Sequence, residues 1–322
     1  MLKKYDVLCI GSATVDNFLT TDCSLKSVKL GDKVLVKATE KHSGGGATNS
    51  AAALSKLGLK VKLLSKLGND HDAEFIIKEL QQYKLKNVCL HHSKHNTDFS
   101  VVISCPHKDK DRIIYAHKGA SSNLSLNDFK ISQLRAKWIY MASLMGQSFQ
   151  TAKKIAQYAK QNKINLLFNP SLYLAKKGRN YLKSVLEATT ILVLNKEEAQ
   201  SLLKNKTNSF KKLLLELKKL GPETVIITNG AKKCYALSEN VIYSLTPPDV
   251  KIVHTAGAGD SFTAGFLAGI IKKYDFAEAF KLGQVNSTSV IQHFGTKNKL
   301  LTEKEAKLLI KKYKIKVDKN EI

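Results

Sequence analysis

The sequence predicts an α/β protein with a doubly wound, mostly parallel β-sheet, and three observations support this prediction. Short, continuous apolar runs recur along the chain, which is typical of strands that are buried on both faces of a parallel sheet. Segments with a helical period separate these runs and indicate repeated β-α units. The chain has 322 residues, of which 43% are hydrophobic, so it can bury a large core.

The order of the elements follows from this alternation. The first strand is predicted within residues 5–16, where the apolar run 7–10 leads into a turn at Gly11. A glycine-rich stretch at 43–46 opens an alanine-rich helix, which ends at Gly58. Further strands are predicted at 61–67, 88–91, 138–142, 165–168, 190–194 and 223–228. Further helices are predicted at 72–83, 148–161, 180–187, 196–204 and 209–219.

Two segments interrupt the alternation and predict a small second sheet. Residues 17–43 lack a helical period and contain short, half-exposed strands. Residues 99–105 and 112–116 flank a polar tip, which is the pattern of a β-hairpin. We expect these parts, about 17–43 and 97–118, to form a β lid outside the main sheet.

The chain is expected to form one domain, 1–322, with the lid as an excursion from it, because no linker or internal repeat divides it. The last helix begins at a capping box formed by Thr302 and Glu305. The basic tail that follows this helix is expected to be frayed.

The composition argues against a nucleic-acid-binding protein, a membrane protein and a secreted protein. The net charge is +25, but nearly all the positive residues are lysines spread along the chain, which indicates a solvated surface. Base and phosphate recognition favours arginine, so no nucleic-acid partner is expected. No apolar run approaches membrane-spanning length, and the start of the chain is interpreted as a strand and not as a signal peptide. The five scattered cysteines indicate reduced thiols, a cytoplasmic location and no zinc site.

The stretch from His254 to Phe266 carries the strongest chemical signal. Gly257 and Gly259 precede an apolar helix, whose first turn offers free N–H groups to an anion. Asp260 lies in the same turn, where a carboxylate could accept a proton from a hydroxyl that attacks a phosphate. An acidic residue at a helix start is also common as a stabilising charge, so the residues alone leave both interpretations open.

Four further motifs each have a structural alternative. Asp16 follows a glycine turn past the first strand, where open sheets bind ligands, or it is an ordinary turn residue. The 43–46 loop could approach a ligand or act as a linker. Asn195 and Glu198 have the spacing of a helix cap, and the segment after strand 223–228 could be a plain turn.

Together these motifs resemble the ribokinase-like (PfkB) family of sugar and nucleoside kinases, in the family's order and from Asp6 to about Leu301. The Gly-Ala-Gly-Asp core of the family's second signature is intact at 257–260. His254 stands where the family usually has Asp, and Ala256 where it has Thr. The first signature is matched by Gly45 and Asn49.

The resemblance implies roles for single residues. Asp260 would be the general base, and the backbone of Gly257, Ala258 and Gly259 would stabilise the charge that develops during transfer. Substrate contacts would come from Asp16, Gly45 and Asn49. Nucleotide contacts would come from Asn195, Thr228, Gly230 and Asn286, and Glu198 would act on Mg²⁺ through water.

The implied activity is that of an ATP-dependent sugar kinase with Mg²⁺ as cofactor. A nucleoside kinase of the same family and a non-catalytic sugar- or nucleotide-binding regulator are the alternatives. A nucleoside would need a stacking surface, for which Phe18, Phe99 and Tyr115 are candidates. Relatives form a monovalent cation site with the Asp that His254 replaces, so we expect weak or absent potassium activation. The lid strands could pair between two chains and form a homodimer.

Overall fold

The computed structural model describes residues 5–85, 88–105 and 112–322, and its strands form two sheets. The larger sheet has the order β14-β13-β12-β11-β10-β9-β8-β1-β4-β5. The seven neighbouring strands β11, β10, β9, β8, β1, β4 and β5 pair in parallel. The strands β12, β13 and β14 extend the sheet beyond β11 with antiparallel pairing. Their bounds are β1 Val7–Ile10, β4 Val61–Gly68, β5 Val88–Ser93, β8 Trp138–Ala142, β9 Asn165–Asn169, β10 Ile191–Asn195, β11 Thr224–Thr228, β12 Cys234–Ser238, β13 Val241–Leu245 and β14 Asp318–Glu321.

Helices cover both faces of this sheet, which confirms the doubly wound α/β prediction. Alternate residues of β1 show this, since Val7 and Cys9 belong to one buried apolar cluster and Leu8 and Ile10 to the other. The helices of the described residues are α1 Gly46–Lys56, α2 His71–Gln81, α3 Gln147–Gln161, α4 Leu172–Ala175, α5 Arg179–Leu186, α6 Lys196–Leu203, α7 Phe210–Lys218, α8 Ala258–Ile271, α9 Phe276–Val290 and α10 Glu303–Lys312. The first cluster holds α1, α2, α8, α9 and α10, and the second holds α3, α5, α6 and α7.

The second sheet lies in the two segments that the sequence assigned to the lid. Its order is β3-β2-β6-β7, with β2 Thr14–Thr21, β3 Val36–Gly44, β6 Asp98–Ser104 and β7 Arg112–His117. Strand β2 pairs antiparallel with β3 and parallel with β6, and β6 pairs antiparallel with β7. The predicted hairpin between β6 and β7 is therefore confirmed, while its tip, 106–111, lies outside the described residues.

The structure corrects the sequence interpretation at both ends of the chain. Asp16 does not lie in a turn, because β2 already begins at Thr14 and places Asp16 in the second sheet. The tail after α10 is not frayed, because β14 pairs with β13 and the Lys233 ammonium lies 2.9 Å from the Asp318 carboxylate. In the described parts of the chain, no helix is long and apolar enough to cross a membrane.

Candidate active site

A cavity of about 430 Å³ lies at the carboxyl ends of the parallel strands, under the second sheet. The strands β1 and β8 are neighbours, and the chain leaves β1 toward β4 on the other side, so the strand order reverses at this point. Open α/β sheets bind ligands at such a reversal. Ser12 follows β1, and the cavity is lined there by Ser12, by Ala142 at the end of β8 and by Asn169 at the end of β9.

The amino terminus of α8 opens into this cavity. Gly257 caps the helix with φ of 78°, a conformation that favours glycine, and a Cβ there would lie 2.4 Å from the Thr296 carbonyl oxygen. Gly257, Gly259 and Asp260 line the cavity, and Ala258 does not. The Ala258 N–H donates a long bond of 3.3 Å to the Thr255 carbonyl. The glycine-rich start of α8 therefore brings backbone amides and one carboxylate to the same place.

Asp260 is held by a residue from the other glycine-rich helix start. Its Oδ2 accepts a hydrogen bond of 2.8 Å from Nδ2 of Asn49 in α1. Burial and the charge of Asp16 raise the pKa of Asp260, the Asn49 hydrogen bond and the Lys297 charge oppose this rise, and the resulting pKa is about 6. The carboxyl group is thus mainly ionised at neutral pH and can gain a proton with little cost.

Two residues that the sequence interpretation missed complete this contact. Oδ1 of Asn49 accepts hydrogen bonds from Thr296 Oγ1 at 2.9 Å and from Lys297 Nζ at 3.3 Å. Both residues follow α9, far from α1 in the chain. A buried lysine has the same appearance in the sequence as the many exposed lysines, so only the fold reveals the position of Lys297.

Asp16 reaches the cavity from β2. Its Oδ1 accepts a hydrogen bond of 2.6 Å from Ser100 Oγ on β6, and burial raises its pKa. A Cβ at Gly44 would lie 1.9 Å from Asp16 Oδ2, so the glycine leaves the space that the carboxylate occupies. Gly45 and Asn49 also line the cavity. The structure therefore brings the three expected substrate residues together.

Asn195 and Glu198 form a capping box at the start of α6. The Glu198 N–H donates to Asn195 Oδ1, and the Asn195 N–H donates to Glu198 Oε2, each at 2.8 Å. The structural alternative is thus correct, yet both residues and Thr228 also line the cavity. Burial raises the pKa of Glu198 to about 7.

The Glu198 carboxyl group is chemically suited to act on a magnesium ion that is bound together with a nucleotide. Mg²⁺ in nucleotide sites is bound by one or two carboxylates, phosphate oxygens and waters, and not by a protein cage. In the described residues, no group of three or more His, Cys, Asp or Glu side chains could hold a metal alone. Glu198 supplies one carboxylate at the cavity wall.

Two predicted nucleotide residues do not line the cavity. Asn286 is fully buried, where its Nδ2 donates to the Ser261 carbonyl and its Oδ1 accepts from the Leu301 N–H. Its amide thus ties α8, α9 and the following loop together, and its contact with a nucleotide stays a prediction. Gly230 lies in the exposed turn after β11 with φ of 58°.

The backbone contact of His254 indicates which tautomer its neutral ring adopts. Its Nδ1 accepts the Ala256 N–H at 3.1 Å, so the ring proton of a neutral imidazole must be on Nε2. Burial lowers the pKa of His254 to about 4, and the nearby Arg112 charge acts in the same direction. The ring meets Phe18 edge to face, with centroids 4.8 Å apart. A neutral imidazole, whose Nε2–H is a hydrogen-bond donor, therefore lies beside the start of α8.

The second sheet supplies an apolar and cationic wall of the cavity. Of the three stacking candidates, Phe18 lines the cavity, and Phe99 and Tyr115 do not. Phe99 is 37% exposed and stacks on His117, and Tyr115 is 61% exposed. The other cavity-lining residues of β6 and β7 include Val102, Ile114 and Arg112.

The chain matches the model of the pfkB family carbohydrate kinases over residues 4–303. The chain belongs to the pfkB family. Members of this family are phosphotransferases that act on hydroxyl groups, so the protein is a kinase with an alcohol group as acceptor.

Individual relatives span both acceptor classes. An ATP-dependent 6-phosphofructokinase of Thermoanaerobacterium thermosaccharolyticum is 26% identical, over 91% of this chain and 90% of that protein. The structure of Arabidopsis thaliana ribokinase complexed with ribose and ATP has a TM-score of 0.81 at 20% identity, and the match covers 95% of this chain and 99% of that chain. The nucleoside kinase of Methanocaldococcus jannaschii has a TM-score of 0.80 at 22% identity, with 96% and 99% covered. These structures confirm the ribokinase-like fold.

Proposed function

We propose that this pfkB kinase transfers the γ-phosphate of ATP to a hydroxyl group of a sugar, with Asp260 as the general base. The observation that carries the proposal is the position of Asp260. Its carboxylate lies in the first turn of α8, lines the cavity and is held by Asn49 at 2.8 Å. A general base must lie within hydrogen-bond reach of the proton that it removes, and the cavity gives an acceptor hydroxyl this access.

The charge that develops during phosphoryl transfer needs donors that are already in place. The backbone N–H groups at the start of α8, with the positive end of the helix dipole, supply them beside Asp260. Asn195 and Thr228 line the part of the cavity where the nucleotide would lie, and Glu198 would hold Mg²⁺ through water. When bound, the metal neutralises charge on the β- and γ-phosphates. Closure of the second sheet would exclude water from the transfer.

The sugar assignment rests on the polar side of the cavity. Asp16 and Asn49 can form hydrogen bonds with the hydroxyl groups of an acceptor. An analogue without these hydroxyls would leave the buried Asp16 carboxylate without its hydrogen-bond partners, so the site should reject it. A nucleoside is the second candidate, because Phe18, Val102 and Ile114 give the lid side of the cavity an apolar surface. A non-catalytic regulator is less favoured, since Asp260 and its glycines are all present at the cavity.

A coupled ADP-release screen of pentoses, hexoses, keto-sugar acids and nucleosides tests the assignment. We expect a free sugar to be the best acceptor, and Asp16→Asn to lower its kcat/KM by at least about tenfold, since a charged hydrogen-bond partner is lost. A nucleoside turned over far faster than every sugar would show that the acceptor class is wrong. An unchanged kcat/KM in Asp16→Asn would remove Asp16 from the substrate site.

We also propose that the second sheet mediates a homodimer. Its edge strands are β3 and β7, and apolar side chains are exposed on or beside them, including Leu35, Val36 and Tyr115. Exposed edges with apolar side chains favour pairing with another chain. Light scattering should give a dimer mass, and Val36→Glu should reduce it to the monomer. Leu308→Glu, at an exposed apolar position on α10, is the matched control and should stay dimeric.

A further inference from the structure

Lys297 is an unusual lysine, because it is only 3% exposed. Its Nζ lies 3.5 Å from Glu79 Oε1 and also donates to the Ser43 carbonyl and to Asn49 Oδ1. A buried ammonium is costly unless it is paired and hydrogen-bonded. Lys297 meets this requirement with partners from α2, from the end of β3 and from α1. Lys297 thus places a buried positive charge next to Asn49, one of the residues that line the active-site cavity.

The contacts of Asn49 show how this charge acts on the site. Oδ1 of Asn49 accepts from Thr296 and Lys297, and Nδ2 donates to Asp260. An amide turned the other way would place its NH₂ against the Lys297 ammonium and its oxygen against the Asp260 carboxylate. Both contacts would be repulsive, so the hydrogen-bond network fixes the orientation of the amide.

We propose that Lys297 is a positioning residue for phosphoryl transfer: acting through Asn49 and through its own charge, it keeps Asp260 ionised and aimed at the acceptor hydroxyl. This inference rests on the proposed role of Asp260 as the base. Lys297 does not touch the reacting atoms, since Asn49 lies between it and Asp260. Thr296 assists by donating to the same amide oxygen, but it carries no charge.

The positive charge of Lys297 matters because several of the other groups around Asp260 are acidic. Asp16 on β2 and Glu198 on α6 add negative charge, and the Tyr140 phenol on β8 also faces Asp260. Lys297 acts on Asp16 as well, together with Lys118, which follows β7, and His42 on β3. Within the described residues, Lys297 acts on Asp260 itself, and its positive charge opposes the rise in the pKa of Asp260. Burial lowers the pKa of Lys297, while Glu79, Asp16 and Asp260 favour its charged form.

The test is the pH dependence of kcat/KM in Lys297→Met, which replaces the ammonium with an apolar group of similar length. In the wild type, kcat/KM should fall at low pH as Asp260 gains a proton, and we call this part of the profile the acid limb. Loss of the nearby positive charge should move the midpoint of the acid limb to a higher pH, by about one pH unit. The variant should therefore be most impaired near pH 6 and should recover toward the wild-type rate above pH 8. Thr296→Val is the matched control, because it removes a donor to Asn49 and keeps the charge. It should lower kcat without moving the acid limb.

A purely structural role of Lys297 would lower the rate by the same factor at every pH, and this result would overturn the inference. The double variant Lys297→Met/Glu79→Gln removes both charges of the ion pair, so it serves if the single variant does not fold, and it should show the same shift. Asp260→Asn is measured in parallel. If Asp260→Asn is active, the proposed function fails; if it is inactive and the acid limb of Lys297→Met is unshifted, only the present inference fails.

Discussion

The Asn49 amide donates a hydrogen bond of 2.8 Å to the Asp260 carboxylate, although the two residues are 211 positions apart in the chain. The contact joins the glycine-rich start of α1 to the glycine-rich start of α8. Because each helix start lines the same cavity, an acceptor bound at Asn49 would lie next to Asp260, the proposed base, and to the first turn of α8.

The pH–rate profile should report the ionisation of Asp260. Burial raises the pKa of this acid to about 6, and a base works only in its ionised form. At saturating Mg-ATP, kcat/KM for the acceptor should therefore rise as pH increases through about 6 and level off above it. Below that value it should fall about tenfold per pH unit. A profile that stays flat down to pH 4.5 would contradict this assignment.

Glu198→Gln should weaken the response to magnesium. The glutamine oxygen can still accept the Asn195 N–H, so the cap of α6 is kept while the negative charge is lost. We expect the Mg²⁺ concentration for half-maximal rate to rise by about 10–100-fold, the range for loss of a group that acts on a metal through its bound water. Glu197→Gln, at an exposed position that does not line the cavity, is the control and should match the wild type. Equal magnesium curves for both variants would exclude Glu198 from metal binding.

Potassium should have little effect on the wild-type rate. The His254 ring is neutral at pH 7, since burial lowers its pKa to about 4, and its Nδ1 is engaged by the Ala256 N–H. A neutral imidazole donor is a poor partner for a hard cation such as K⁺, which prefers oxygen ligands. Rates in potassium and in a bulky organic cation should agree. His254→Asp should become more active in potassium, whereas the neutral His254→Asn should not. Strong potassium dependence of the wild type would contradict the account.

The sequence predicted the elements whose signals are local. The β-α alternation of the sequence predicted the parallel sheet. The glycines before α1 and α8 indicated where both helices begin, because tight turns need specific residues at specific positions. Asn195 and Glu198 were recognisable as a cap for the same reason, and the cap is present.

Features that depend on distant parts of the chain could not be predicted in this way. Thr296 and Lys297 act on Asn49 across more than 240 positions, so no spacing connects them. Strand β14 has a charged, exposed sequence and forms because β13 offers it an edge. Asn286 was placed at the nucleotide by resemblance, but the packing of α9 on α8 buries it.

The most direct test of the account is single-turnover and steady-state kinetics of Asp260→Asn, together with measured affinities for ATP and for the best acceptor. The amide has nearly the same shape as the carboxylate but cannot accept the proton. We predict near-normal binding of both substrates and a kcat lowered by roughly 10²–10⁴-fold, the usual effect of removing a general base. A kcat close to that of the wild type would show that Asp260 is not the base, and the proposed mechanism would be wrong.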